Sequence, residues 1–397
     1  MNQTTYLPSK PRYEILDGLR GVAAILVLLY HHFELFGPGI TTFHGYLAVD
    51  FFFILSGFVV GYAYDDRWKD MGNPKGMSLW AFFKRRLVRL HPMLIFGMFF
   101  GMLMFYFGMG DILSQIRDAH WPIILVSFIF AILLIPVPKA FEVRGWGELN
   151  SFNGNAWTLV YEYLANILYA LFIRRFNKTL LAVLVAVFAI LTLGIGLNID
   201  FFGVMGNRSA EHAYTFIGGW DATPTQLVIG WSRLLYPFFA GLLMARCMAA
   251  PQHQPDETSF LHRHGFLAAS VVLMVVLLMP FIGGENHKIY NGIYEVCCIL
   301  FVFPVIVYMG AKGTVSGGNR KFCKWLGDIS YPLYITHSPI IFTLCIGWKA
   351  NNPGATTDQI IFVCVCSVIL SFMVAWGSLK LWDEPVRAWL KEHWLKR

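Results

Sequence analysis

The sequence predicts an all-α fold, a polytopic membrane helix bundle of about ten transmembrane helices with both termini cytoplasmic. Three observations predict it. Of 397 residues, 56% are hydrophobic and only 14% are charged, against about 25% charged in a soluble domain. A chain this long has too little charge for its surface unless lipid covers it, and the mean hydropathy of +0.55 agrees. Apolar runs of spanning length recur, and the cations gather between them, as in cytoplasmic loops. The net charge of +7 is then loop charge, which argues against nucleic acid as a partner. Aromatics, at 16%, suit anchoring at the lipid headgroups.

A span needs roughly 17–25 mostly apolar residues. Candidate runs lie near 17–36, 44–64, 92–109, 122–137, 156–174, 179–197, 226–247, 265–283, 289–310, 327–347 and 359–381. Loop charge tests them. The 65–91 stretch holds Arg67, Lys69, Lys75, Lys84, Arg85, Arg86 and Arg89 and should be cytoplasmic. So should the leader with Lys10 and Arg12, the Arg174-Arg175 and Lys178 link, and the stretch with Lys312, Arg320, Lys321 and Lys324. The tail with Arg387, Lys391, Lys396 and Arg397 joins them. Arg89 and Arg174 then need an even number of crossings between them, and three runs lie there. The 122–137 run is short and contains Pro122 and Pro136, so it is assigned to a re-entrant or interfacial piece. Ten spans remain, with 138–155 and 198–225 outside.

One domain covers 1–397, with a short leader (1–16) and tail (383–397) and no internal repeat. The first apolar run is interrupted by Arg20 and ends in His31 and His32, unlike the core of a cleavable signal peptide. The seven cysteines start at Cys247 and form no Cys-x-x-Cys pair. Cys297, Cys298, Cys345, Cys364 and Cys366 sit in apolar runs, so they read as buried free thiols, with no metal site expected.

A charge at bilayer depth costs roughly 2.5–3.5 kcal/mol and needs a reason. Arg20 and His31 lie eleven residues apart, which returns to within about 20° of one helix face, roughly 16 Å along the axis. Asp17 is near the same face. Asp17 and Arg20 are either an interfacial pair or part of a site; His31 is either a satisfied core histidine or a catalyst. His32 points about 100° away and reads as a neighbour. Asp50 opens the second run, either as a site carboxylate or as partner to a buried cation. Ser56 and Gly57 suit close helix packing. Phe82-Phe83-Lys84-Arg85-Arg86-Leu87-Val88-Arg89-Leu90-His91-Pro92 reads as an inner loop. Its four cations exceed what orientation needs and suit the phosphates of a nucleotide-containing donor, or else anionic lipid. Trp157 and Thr158 open the fifth run. Thr158, Glu162 and Asn166 share a face by their spacing of four, and a buried Glu near a His is a natural acid–base pair. Pro332 and Pro339 flank His337 and should break or kink its helix around a site. Trp382-Asp383-Glu384-Pro385 reads as a capped helix end.

These motifs resemble the acyltransferase 3 family of integral membrane O-acyltransferases, from about Tyr13 to Pro385. They are Arg20 and His31 within Leu16-Asp17-Gly18-Leu19-Arg20-Gly21, Asp50 to Phe58, the Arg86-Leu87-Val88-Arg89 pair, Trp157-Thr158-Leu159 with Glu162, Leu326-Gly327 to His337-Ser338-Pro339, and Glu384-Pro385. Together, in the family's order, they are specific. The family's usual Glu-Glu pair is Tyr161-Glu162-Tyr163 here, so one carboxylate carries over, at Glu162. The resemblance implies ten spans in a bacterial inner membrane, no permanently bound cofactor, and an acyl-CoA donor, usually acetyl-CoA. It implies a carbohydrate acceptor. Some family members carry a fused C-terminal hydrolase-like domain that this sequence does not show, so transfer is expected to be direct or completed by a separate periplasmic partner.

The expected chemistry is acyl transfer across the membrane. Arg20, Lys84, Arg85, Arg86 and Arg89 would meet the donor's phosphates, His31 would act as base or acyl carrier, Glu162 would orient or protonate it, and His337 would assist. Asp17, Asp50, Ser56, Trp157 and Thr158 are substrate-binding or structural. A multi-span transporter of a small polar or anionic solute is the rival, since intramembrane ionisable residues suit it too.

Overall fold

The computed structural model describes residues 10–35, 43–71, 76–108, 114–208, 212–248, 260–282 and 289–395. Lys75, Lys396 and Arg397, counted above as cytoplasmic charges, lie outside them. The described chain is helical throughout: α1 (Glu14–Leu35), α2 (Ala48–Tyr64), α3 (Leu79–Phe107), α4 (Ser114–Asp118), α5 (Trp121–Ile132), α6 (Trp157–Leu171), α7 (Lys178–Gly196), α8 (Pro224–Cys247), α9 (Phe260–Leu277), α10 (Ile289–Cys297), α11 (Phe303–Lys312), α12 (Gly317–Ile340), α13 (Gly347–Asn351), α14 (Thr357–Ser378) and α15 (Glu384–Leu390). π-helical turns join α10 to α11, α12 to α13 and α14 to α15. Eight helical stretches are long and apolar enough to cross a membrane; α6 and α9 are shorter and lie among them.

Ion pairs and loop contacts define two ends of the bundle. At the near face, where α1 begins, Arg12 reaches Asp328 of α12 (3.3 Å), Arg246 of α8 reaches Asp65 beyond α2 (2.6 Å), and Arg174 beyond α6 reaches Asp70 (2.7 Å). At the far face the Leu149 amide donates to the Trp220 carbonyl (2.8 Å) and Thr225 to the Val204 carbonyl (2.6 Å). The 122–137 run yields only α5, twelve residues. At about 1.5 Å per residue it is roughly 18 Å long, too short for a core of about 30 Å.

Three segments differ from expectation. The basic stretch before Pro92 is not a loop. The Ser78 side chain caps α3 by accepting from the Ala81 amide (3.2 Å), and the helix runs through Pro92. The prolines around His337 do not break α12 either. Pro339 has no N–H to give the Ile335 carbonyl four residues back, and the Asn153 side-chain amide donates to that carbonyl instead, at 2.6 Å. The Trp382-Asp383-Glu384-Pro385 stretch is not a helix end. The wider turn Leu379–Asp383 absorbs the N–H that Pro385 lacks, and helical structure continues to Leu395. The cysteines are free, as expected, but only Cys298, Cys323 and Cys345 are buried; Cys247, Cys297 and Cys366 are exposed.

Small residues set a close contact between α2 and α8. A Cβ on Gly57 of α2 would overlap the Phe238 carbonyl of α8, and one on Gly241 of α8 would overlap the Ile54 carbonyl of α2. Glycine at both places lets the two backbones touch. Ser56, beside this contact, points toward α6.

Candidate active site

The site is built on the seam between α1 and α12. At its near end the Arg20 guanidinium pairs with Asp17 (3.2 Å) and donates to Ser330 Oγ (2.9 Å) and the Gly327 carbonyl (2.8 Å). At its far end the His31 and His337 rings face each other, with centroids 5.4 Å apart and planes tilted by 30°. Helical spacing thus places Arg20 and His31 on one face, as expected, and that face lies against α12. His32 turns aside. Its Nδ1 meets the Leu28 carbonyl (2.7 Å) and its Nε2 meets Ser367 of α14 (3.0 Å).

His337 is fully buried. Its Nδ1 lies 2.8 Å from the Leu333 carbonyl, so that nitrogen carries the proton. Its Nε2 then accepts from the Asn155 side-chain amide at 3.0 Å. This tautomer is assigned from the partners. With both nitrogens engaged, His337 is a neutral, fixed ring. The Asn153-Gly154-Asn155 segment therefore docks on α12 twice, at Ile335 and at His337. Thr158 adds a third tie, lying 3.0 Å from the Tyr334 hydroxyl.

Glu162 stands elsewhere. Arg86 donates to its Oε1 at 2.8 Å and Ser56 Oγ at 3.4 Å. The expected pairing of Glu162 with His31 is replaced by this ion pair, because the side chain projects toward α3 and α2 rather than the α1–α12 seam. The cations expected to form one phosphate site also divide. Arg86 is buried against Glu162, and Lys84 donates to the Trp394 carbonyl (2.9 Å). Arg85 is half-buried, whereas Arg89 is exposed and lies in the field of Arg20, Arg86 and Asp17. Lys391 of the C-terminal helix faces Arg89 and Arg12. The near end thus keeps a basic mouth around Arg20 and Arg89.

Asp50 resolves as a structural partner. Fully buried, it takes the Arg233 guanidinium at 2.8 Å. Arg233 also donates to the Tyr46 carbonyl (2.7 Å) and lies over the Trp157 ring at 5.3 Å. Tyr46 in turn donates to the buried Glu295 (2.6 Å). Arg233 and Glu295 were not singled out in the sequence, although both sit in apolar runs and carry the same cost as Arg20. Asn153 and Asn155 had no such signal, since asparagine in a loop is ordinary. Among the described residues no three His, Cys, Asp or Glu side chains converge on a metal-sized site.

Chemically, one seam offers a basic mouth at one end and a partly buried imidazole beside a fixed neutral one at the other. That arrangement suits a proton acceptor held deep in the bundle, reached from the opposite side by an anionic molecule.

A family profile described as an acyltransferase domain matches residues 13–376. "Protein 2 in picA locus" of Rhizobium radiobacter is 32% identical over 166 residues, which is 40% of this chain and 81% of that protein. The peptidoglycan O-acetyltransferase OatA of Listeria monocytogenes is 24% identical over 396 residues, 96% of this chain and 56% of that protein. The O-acetyltransferase OatA of Staphylococcus aureus is 23% identical over 396 residues, 98% and 58% respectively. The chain spans little more than half the length of these two O-acetyltransferases. No solved structure matches it.

Proposed function

The chain belongs to the acyltransferase 3 family, and on that premise we propose that it is a membrane O-acyltransferase acting on an envelope carbohydrate. It moves an acyl group, acetyl in the simplest case, from acyl-CoA at the near face to a carbohydrate hydroxyl at the far face. The near face is the cytoplasmic one, since Lys10, Arg12, Arg174, Arg175, Lys178, Lys312 and Arg320 all gather there. The membrane is the bacterial cytoplasmic membrane. The observation that carries this reading is the α1–α12 seam, with the half-buried Arg20 beside the exposed Arg89 at one end and His31 at the other.

Arg20 and His31 are roughly 16 Å apart along α1. A donor that meets both must be elongated, with an anionic head joined to its acyl group by a flexible arm, as in an acyl-CoA. Its phosphates meet Arg20 and Arg89. His31 takes the proton of the acceptor hydroxyl, and the oxygen attacks the thioester carbonyl. The C–S bond breaks, the sulfur leaves as thiolate, and the imidazolium returns the proton to it. The products are a carbohydrate ester and free CoA. His337, held neutral by Leu333 and Asn155, fixes the wall against which His31 turns. Glu162 neutralises Arg86 and holds α3, α2 and α6 together beside the path.

The carbohydrate acceptor is supported by the Listeria relative, a peptidoglycan O-acetyltransferase. Mass spectrometry of envelope glycans tests it, comparing cells with the gene, without it, and with His31→Ala. The expected result is ester-linked acetyl present only with the wild-type gene. Unchanged glycan acetylation in all three removes the reading.

A further inference from the structure

The far-face loop between α5 and α6 sets a carboxylate against Gly154, next to the Asn155 that holds His337, and the proposed reaction has not used it. Glu148 is held end to end by Arg144, with Nη1 2.9 Å from Oε2 and Nη2 3.3 Å from Oε1. Arg144 is itself buried among three rings, 4.0 Å from the centroid of Trp146 and 4.8 Å from those of Phe105 and Phe342. Phe105 lies in the last turn of α3 and Phe342 follows α12, so the clamp is fastened to two membrane helices. Glu142 braces the turn, accepting from the Arg144 and Gly145 amides at 2.7 and 2.6 Å.

The clamp aims the carboxylate inward. A Cβ at Gly154 would lie 2.9 Å from Glu148 Oε2 and 3.0 Å from Oε1. Glycine there lets the carboxylate close on the backbone just before Asn155. Asn155 holds His337, whose ring faces His31. The charged groups around Glu148 are Arg144, Glu142, Asp221 and His31; those described around His31 are His32, His337 and Glu148. Burial pushes the Glu148 carboxyl up overall, with Glu142 and Asp221 adding to the rise, while Arg144 and His31 oppose it by favouring its charged form.

We propose that Glu148, clamped by Arg144, is a positioning residue for His31 that stabilises the imidazolium formed when His31 takes the acceptor's proton. It rests on the acyl-transfer reading above. The proton passes from the acceptor oxygen to His31 and on to the departing thiolate, while Glu148 stays ionised. A fixed carboxylate beside a base that becomes charged lowers the barrier without itself gaining the proton. Glu162 does not serve this role, because it projects toward Arg86 of α3 and Ser56 of α2 and away from the α1–α12 seam.

The test uses the purified full chain in liposomes with acetyl-CoA and a crude envelope glycan, comparing wild type, Glu148→Gln, Glu148→Asp and the double variant Arg144→Met with Glu148→Gln. The double variant removes the unpaired buried guanidinium, so it separates folding from chemistry. Glu148→Gln should lower kcat by about 10²-fold or more with KM for acetyl-CoA unchanged, and the acid limb of the rate profile should move to lower pH. Glu148→Asp should recover much of the rate, and the double variant should regain thermal stability but not rate. Recovery of full rate in the double variant, or an unmoved acid limb, overturns the proposal. Carbethoxylation of His31, followed by peptide mass spectrometry against pH, needs no turnover. Its midpoint should fall by about half a pH unit or more in Glu148→Gln. An unchanged midpoint overturns the proposal, whereas a midpoint that falls in this way in Glu148→Gln while the wild type transfers no acyl group overturns only the acyl-transfer reading.

Discussion

Asp50 and Arg233 have side chains that are 0% and 2% exposed, joined at 2.8 Å. Such a pair gains little over a well-packed apolar pair, but removing one partner strands the other charge. Asp50→Ala should therefore cost about 3–5 kcal/mol. Thermal unfolding in detergent measures it, and Asp50→Ala combined with Arg233→Met should recover most of the loss. A single variant as stable as wild type contradicts the pairing. Residues of this kind were half legible. The cost of charge in an apolar run singled out Arg20, His31 and Asp50, and it applied equally to Arg233 and Glu295. It could not find Asn153, Asn155, Arg144 or Glu148. These lie in a far-face loop, where polar residues are ordinary, and only the fold shows that the loop turns back onto α12.

Helices were legible from apolar period and loop charge, but their limits were not. Proline was taken as the start of a run at position 92, as a break or kink at 332 and 339, and as part of a helix end at 385, and each time the helix passes through. The reason is local. An Asn153 amide caps the carbonyl freed by Pro339, and a π-helical turn precedes Pro385. Packing between elements makes a sharper prediction at Gly57, where a Cβ would overlap the Phe238 backbone of α8. A backbone atom cannot swing aside as a flexible side chain can. Gly57→Leu should destabilise by at least about 1–3 kcal/mol through overpacking, read as loss of the monodisperse peak in fluorescence-detected size exclusion. A variant that elutes and melts like wild type contradicts the backbone contact between α2 and α8.

At the scale of the whole molecule, charge asymmetry and the α1–α12 seam give the protein a direction. In the proposed reaction the anionic donor enters among the cations of the near face, and the acceptor meets the histidines from the far-face loops. Membrane-impermeant labelling of single cysteines introduced at Thr314 and at Thr223 checks the orientation in intact cells. Only the Thr223 position should react from outside, and the reverse pattern inverts the bundle. The central claim is that acyl groups pass along this seam and through His31. It is tested most directly by giving acetyl-labelled acetyl-CoA to the purified chain in liposomes with an envelope carbohydrate extract, and measuring labelled carbohydrate and free CoA together. The account predicts equal amounts of both with wild type and neither with His31→Ala. Labelled carbohydrate formed at the wild-type rate by His31→Ala would contradict it.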